Sequence, residues 1–232
     1  MDAFPLSSDL LGKSASAYEH LRRAVSRGQL RPGRRLSATG LAAAFRISET
    51  PVREALVRLA TEGFLTWEPS KGHFTKPVTL AEQQDLHQVI AINLMGCLRQ
   101  DGERLGQELE PVGLALAAAL ETPPDAPDAA DQTAQLLEDL GGAMVERSGN
   151  RVLCSVMSIL FDRVWLIRRL DVASPVRVLL TRQRIAGVVA ALQSRDVATA
   201  LAILSLQLAE RRDRLPELVD AANAAAAQAS YP

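Results

Sequence analysis

Two short clusters in the first third of the chain carry side chains able to meet a polyanion. Arg53 in Ser48-Glu49-Thr50-Pro51-Val52-Arg53 has a guanidinium that can fork onto guanine O6 and N7 or onto a phosphate. Ser48, Glu49 and Thr50 lie just before it, and a glutamate can accept a hydrogen bond from cytosine N4. Lys71-Gly72-His73 makes a small polar tip whose glycine permits close approach to a duplex. Each has a plainer use. Arg53 can pair with Glu54 or Glu49 in solvent, and a histidine at a hairpin tip is often merely exposed. In the rest of the chain Asn93, Arg163, Arg182 and Gln207 interrupt apolar helical stretches. They are candidates for the polar groups of a ligand pocket, where an arginine suits a carboxylate or phosphate. For any one of them the commoner use is as a surface residue or a core group satisfied by backbone. The pairs Arg168-Arg169 and Arg211-Arg212 read as solvated faces.

The elements that must position these residues follow from periodicity. Tyr18, Leu21 and Val25 recur at helical spacing and predict a first helix from Ser14 to Arg27. Leu30-Arg31-Pro32-Gly33 is a turn, and Arg35-Leu36 a short extended piece. Ser37 is the expected N-cap of a second helix, Thr39 to Phe45, and Ser48 that of a third, from Glu49 to Thr61 or Glu62. Phe64 to Glu68 alternates like a strand, Pro69 to Gly72 turns, and His73 to Thr75 returns. Helix, helix, turn, helix, hairpin is the order of a winged helix-turn-helix, whose third helix fits the major groove. After a hinge at Pro77-Val78-Thr79 everything reads as helix, in spans Leu80–Arg99, Glu103–Leu120, Asp128–Arg147, Asn150–Asp171, Pro175–Ser194 and Val197–Ala229. The alanine-rich tail after Asn223 is expected to fray. The fold class is therefore mainly α, with residues 1–77 a winged helix-turn-helix and residues 78–232 an all-helical bundle.

Charge and composition agree with a division of labour. The 232-residue chain has a formal net charge of −1, but residues 1–78 carry +5 and residues 79–232 carry −6, so only the front suits a polyanion. Cys97 and Cys154 lack a CxxC spacing and read as small hydrophobes in a reducing cytoplasm. No signal peptide or bilayer-spanning run is read, which places the chain in the cytoplasm by expectation. No glycine-rich phosphate loop, GxSxG or HExxH motif occurs, and three histidines are few for acid–base work, so an enzyme is not expected.

Residues 15–76 resemble the DNA-binding domain of the GntR superfamily of bacterial regulators. The resemblance rests on Tyr18-x-x-Leu21-Arg22, Gly28-x-Leu30-x-Pro32-Gly33-x-Arg35-Leu36-Ser37, Leu41-Ala42, Ser48-x-Thr50-Pro51-Val52-Arg53-Glu54-Ala55-Leu56, Leu59-x-x-Glu62-Gly63 and Lys71-Gly72-x-Phe74. The remainder resembles the helical effector domain (FCD type) of the fatty-acid-regulator subfamily. The resemblance implies a homodimeric repressor of transcription, with Arg35, Ser37, Ser48, Glu49, Thr50, Arg53, Lys71, Gly72 and His73 toward double-stranded operator DNA. It also implies a small-molecule effector, a carboxylate or apolar metabolite, in the bundle. The alternative is control by a protein partner, or an architectural role, without an effector. Two departures stand out. Glu49 occupies a position where the family usually has arginine, so an unusual operator is expected. Many subfamily members bind a divalent metal through one Asp and three His, but the matching positions fall at Leu137, Gly141, near Ile185 and at Gln207. No metal or other cofactor is therefore expected.

Overall fold

The computed structural model describes residues 17–30, 32–106 and 108–228, without the side chains of residues 226–228. The expected helix start at Ser14, the turn residue Arg31 and the expected helix end at Ala229 lie outside the described residues. The chain divides into two compact units, residues 1–78 with 221–232, and residues 79–220.

In the first unit α1 (Ala17–Ser26), β1 (Arg35–Leu36), α2 (Ala38–Phe45), α3 (Glu49–Thr61), β2 (Leu65–Glu68) and β3 (Gly72–Thr75) follow in order. The antiparallel sheet runs β1-β3-β2, with Arg35 opposite Phe74 and Thr66 opposite Phe74 on the other side. Leu21, Leu41, Val52 and Leu59 are fully buried, so α1, α2 and α3 share one small core. A polar clamp fixes α1 against α3. The Tyr18 hydroxyl donates to Glu62 at 2.6 Å, Arg58 donates to the same carboxylate at 2.9 Å, and the Arg58 guanidinium lies 3.7 Å from the Tyr18 ring centroid.

Local chemistry sets the helix ends. Ser37 caps α2 by accepting from the Gly40 amide at 3.2 Å. Arg46 ends α2 in the left-handed region at φ 56°, which starts the tight turn into α3. Ser48 occupies the N-cap position of α3, but its hydroxyl makes no capping hydrogen bond. The cap is one of backbone geometry alone.

The second unit is a helical bundle built on α4 (Leu80–Asp101), α5 (Glu110–Leu120), α6 (Ala129–Arg147), α7 (Arg151–Arg163), α8 (Trp165–Asp171), α9 (Pro175–Gln193) and most of α10 (Val197–Gln228). Thr79, Asn150 and Ser174 cap α4, α7 and α9 by accepting from amides three residues on. Leu98, Leu105, Leu109, Met144, Met157, Ile185 and Leu192 are wholly buried in its core. Among the described residues no helix is long and apolar enough to cross a membrane.

Three expected spans differ. The single helix Glu103–Leu120 is a 3-10 turn at Gly102–Arg104 followed by α5. A Cβ on Gly106 would lie 2.9 Å from the Leu192 carbonyl oxygen, so the chain passes that carbonyl closely before Pro111 opens α5. The span Asn150–Asp171 breaks at Val164 into α7 and α8, and the Arg168 guanidinium takes the Phe161 carbonyl at 3.3 Å. The tail expected to fray after Asn223 continues as helix to Gln228, where Asn223 donates to the Val78 carbonyl at 3.0 Å.

Candidate functional site

The first unit presents a concavity of about 620 Å³ lined in part by Arg35, Ser37, Thr39, Arg53, Gly72 and His73. Each element contributes through its own geometry. Arg35 opens β1 exposed, Ser37 caps α2, Arg53 stands one turn into α3, and Gly72 opens β3. Gly72 has φ +99°, which a side chain rarely adopts, and a Cβ there would sit 3.9 Å from the Arg35 guanidinium. Sequence-distant residues thus meet on one surface. Ser48 and Thr50 are exposed at the N-terminal end of α3, beside this concavity rather than among its lining residues. Lys71 also lies outside the lining and pairs with Glu68 at 2.9 Å.

Glu49 is engaged. It accepts from Arg53 at 2.6 Å and from the Thr39 hydroxyl, and these bonds, Thr39 first, hold its carboxyl below the usual carboxylate range. The pairing of Arg53 with Glu49, one of the plainer uses raised by the sequence, is present in the free protein. Burial pushes the His73 imidazole below its ordinary value, which favours its neutral form. His73 is thus suited to hydrogen bonding more than to phosphate pairing.

In the second unit the four candidate pocket residues part company. Asn93 donates to the Val89 carbonyl of its own helix at 2.8 Å. Arg163 pairs with Glu82. Arg182 is almost wholly buried and donates to the Thr133 hydroxyl at 3.0 Å and to the Thr122 carbonyl at 2.8 Å, tying α9 to the start of α6 and the loop before it. Gln207 lines a bundle cavity. That cavity measures about 40 Å³ and its wall includes His87, Leu137, Gly141, Arg168, Gln207 and Arg211.

Three of the four positions matched to metal ligands therefore surround one cavity, while Ile185 is buried in the bundle core and is not on its wall. Their chemistry does not fit a metal. Leu137 and Gly141 offer no donor atom, Gln207 only an amide, and two guanidinium groups on the wall repel a cation. Among the described residues no cluster of three or more His, Cys, Asp or Glu side chains could hold a metal ion.

The expectation of solvated arginine pairs fails for one member of each. Arg212 is exposed and Arg169 half-buried, but Arg168 and Arg211 are 3% and 7% exposed. Acids draw them inward: Arg168 donates to the half-buried Glu138 at 2.5 Å, and Arg211 to the buried Asp171 at 3.0 Å. Sequence reasoning also missed His87. A usable signal existed, because Gln83, Leu86, His87, Ile90, Leu94 and Cys97 form one buried stripe of α4 at helical spacing, as Ala200, Leu204, Gln207, Arg211, Leu215 and Leu218 do on α10.

The polar atoms around the cavity are arranged with open positions. His87 Nδ1 is 2.8 Å from the Gln83 carbonyl, which can only accept, so Nδ1 carries the proton and Nε2 presents a lone pair. Burial, then the Arg211 charge, lowers the His87 pKa to about 4, so the ring is neutral near pH 7. The Gln207 oxygen accepts from Arg184 at 2.9 Å, which leaves its NH2 group for other partners. His87 Nε2, Gln207 Nε2 and Arg211 Nη2 are all buried and have no partner among the described residues.

The fold and the site define a winged helix-turn-helix protein joined to an all-helical second domain. Residues 13–74 match the family described as bacterial regulatory proteins, gntR family, and residues 111–210 match the FCD domain. The chain belongs to the GntR family of bacterial regulatory proteins and carries an FCD domain. It is 30% identical over 141 residues to the Nta operon transcriptional regulator of Aminobacter aminovorans, covering 61% of this chain and 66% of that protein. It is 32% identical over 65 residues to the HTH-type transcriptional repressor RspR of Escherichia coli K12, covering 28% of each. The matched stretches thus span just under two thirds of the first relative and under a third of the second. Escherichia coli McbR/YncC shares the fold with a TM-score of 0.73 at 21% identity, over 87% of this chain and 95% of that one. The family and these named relatives are transcriptional regulators, not enzymes.

Proposed function

We propose that this protein is a homodimeric repressor that binds a two-fold operator through α3 and the β2–β3 wing. A small metabolite bound in the FCD bundle sets its affinity. The observation that carries the DNA-binding part is the meeting of Arg35, Ser37, Arg53, Gly72 and His73 on one concave surface. It lies beside the exposed start of α3, in residues 1–78, which carry a formal charge of +5. Arg35 and Arg53 neutralise phosphates or fork onto guanine, and Ser48 and Thr50 reach bases or backbone. Lys71 follows the backbone beside the wing. Dimerisation follows from the operator: two recognition helices must reach half-sites about one helical turn apart. Repression is the reading that agrees with the name borne by the RspR relative. The effector part rests on the cavity of the second unit and its unpartnered polar atoms. As a DNA-binding regulator the protein works in the cytoplasm.

Selection of duplexes from a random pool, followed by anisotropy titration of the enriched sequence, tests this reading. The wild-type chain is expected to enrich a sequence with two related half-sites. Arg53→Ala is expected to weaken binding by roughly tenfold or more, a loss of ~1–3 kcal/mol. Failure to enrich any sequence, or unchanged affinity in Arg53→Ala, contradicts it.

A further inference from the structure

The first helix of the second unit keeps one face that no other described residue covers. Leu86, His87, Ile90, Leu94 and Leu98 turn one side of α4 into the bundle. Ile92 stands on the opposite side and is 63% exposed, although its side chain is large and aliphatic. Asp85 and Arg99 lie seven residues before and after it, so by helix geometry both fall within about 20° of the same line. Gln88, Val89 and Gly96 flank that line and are exposed. A Cβ on Gly96 would meet nothing within 4 Å. From Leu86 to Leu98 the helix includes no Asp, Glu, Lys or Arg. The neighbouring helix widens this strip. Val152, Val156 and Arg163 share one side of α7 at helical spacing, and Arg163 pairs with Glu82 of α4, so that side borders α4. Val152 and Val156 are exposed, and residues 152–161 are again free of formal charge. A helix face left to solvent is normally set with charged residues; an apolar one about three and a half turns long fits a surface that is covered.

Charge identifies the occupant. Asp85 and Arg99 are exposed, opposite in sign and without an ion pair among the described residues. They lie equally far from Ile92, about 10 Å along the axis on either side. A second α4 laid antiparallel, with a two-fold axis at Ile92, sets Asp85 of each copy against Arg99 of the other. The same operation sets Ile92 on Ile92 and Gln88 on Gly96. Parallel order would set Asp85 on Asp85 and Arg99 on Arg99, which like-charge repulsion opposes. The face is therefore its own complement, as the interface of a two-fold dimer must be. The other long apolar face does not pass this requirement. On α5, Leu114, Ala117 and Ala118 are exposed, but Glu110 and Glu121 bound them on the same side of the helix. Paired with its own copy in either direction, that face sets carboxylate against carboxylate.

We propose that the exposed face of α4, with the adjoining side of α7, packs against the same face of a second copy in antiparallel order about a two-fold axis at Ile92. Ile92 and Val89 supply the apolar contact, Asp85 and Arg99 fix the direction, and Gly96 lets the two helices approach closely. The proposal rests on the dimer reading given above and names the surface that forms it.

Sedimentation equilibrium of the full-length protein over a dilution series tests it. The wild type is expected to show twice the 25.0 kDa chain mass. Ile92→Arg puts two cations together on the axis and is expected to give monomer at concentrations where the wild type is dimeric. Asp85→Arg sets a cation against Arg99 twice in each dimer, and is expected to raise the dimer Kd by roughly tenfold or more. Adding Arg99→Asp to Asp85→Arg restores the pair with its signs exchanged and is expected to recover most of that loss. Leu114→Arg on α5 is expected to leave the mass unchanged. The substituted positions are all exposed, and far-ultraviolet circular dichroism checks that each variant folds. Recovery by the double substitution is a gain that misfolding cannot imitate. The proposal is overturned if Ile92→Arg dimerises like the wild type, or if the double substitution associates no better than Asp85→Arg alone. It is equally overturned if Leu114→Arg is the change that yields monomer. A monomeric wild type defeats the dimer reading together with this inference; a wild-type dimer indifferent to Ile92→Arg defeats this inference alone.

Discussion

Glu49 and Arg53 pair in the absence of DNA, so the proposed operator contact of Arg53 would have to compete with an existing ion pair. Both groups are solvent-exposed, where such a pair is weak and easily exchanged. Glu49→Arg removes the pair and places a cation at the start of α3. It is expected to change the sequence enriched from a random duplex pool; an unchanged consensus shows that Glu49 has no part in base choice. His87 supports a second prediction. Its folded pKa of about 4 lies below the ordinary 6.5, so the unfolded chain takes up a proton first as pH falls. The stability contributed by the neutral ring is whole above pH 6.5 and is lost as pH falls toward 4, an order-of-magnitude cost of ~3 kcal/mol. Denaturant melts from pH 7 to pH 4 should show the decline, and His87→Gln should flatten it over that window. The two residues were unequally legible in the sequence. Glu49 and Arg53 sit in a dense run of family-matching residues. Arg168 and Arg211 look like solvated arginines until Glu138 and Asp171, 30 and 40 residues away, are brought beside them, and the role of His87 shows only once Arg211 is seen near it.

At the scale of elements, periodicity and caps located nearly every helix and both strands of the wing. The misses came from tertiary packing. Nothing local marks Val164 as a break; the Phe161 carbonyl there is taken by Arg168 from the following helix. Likewise Gly106 reads as a tolerated glycine within a helix until Leu192 is found against it. Gly106→Ala is expected to destabilise the bundle by ~1–3 kcal/mol, because the new methyl meets a backbone carbonyl that cannot swing away. A chemical denaturation curve measures it, and a neutral result removes the close approach as the cause of the break. Arg46 offers the opposite sign. It holds a left-handed conformation at φ 56° that glycine adopts freely, so Arg46→Gly is expected to stabilise the first unit by up to ~1 kcal/mol.

At the scale of the whole molecule, the charge is split, +5 over residues 1–78 and −6 over residues 79–232, so only the first part suits a polyanion. A two-fold operator requires the assembly to be even-numbered. Light scattering is expected to give twice the 25.0 kDa chain mass, and a stable monomer at operator-binding concentrations contradicts the proposed dimer. DNA is expected to dock on the surface that joins β1, α2, α3 and the wing. The salt dependence of binding to the selected operator tests it most directly, because each phosphate neutralised releases counterions and steepens the slope of log K against log salt. The expected result is a steep negative slope that flattens by about one on Arg35→Ala or on Arg53→Ala, if each neutralises a phosphate. A slope that neither substitution changes, with affinity also unchanged, would mean that DNA docks elsewhere on the protein.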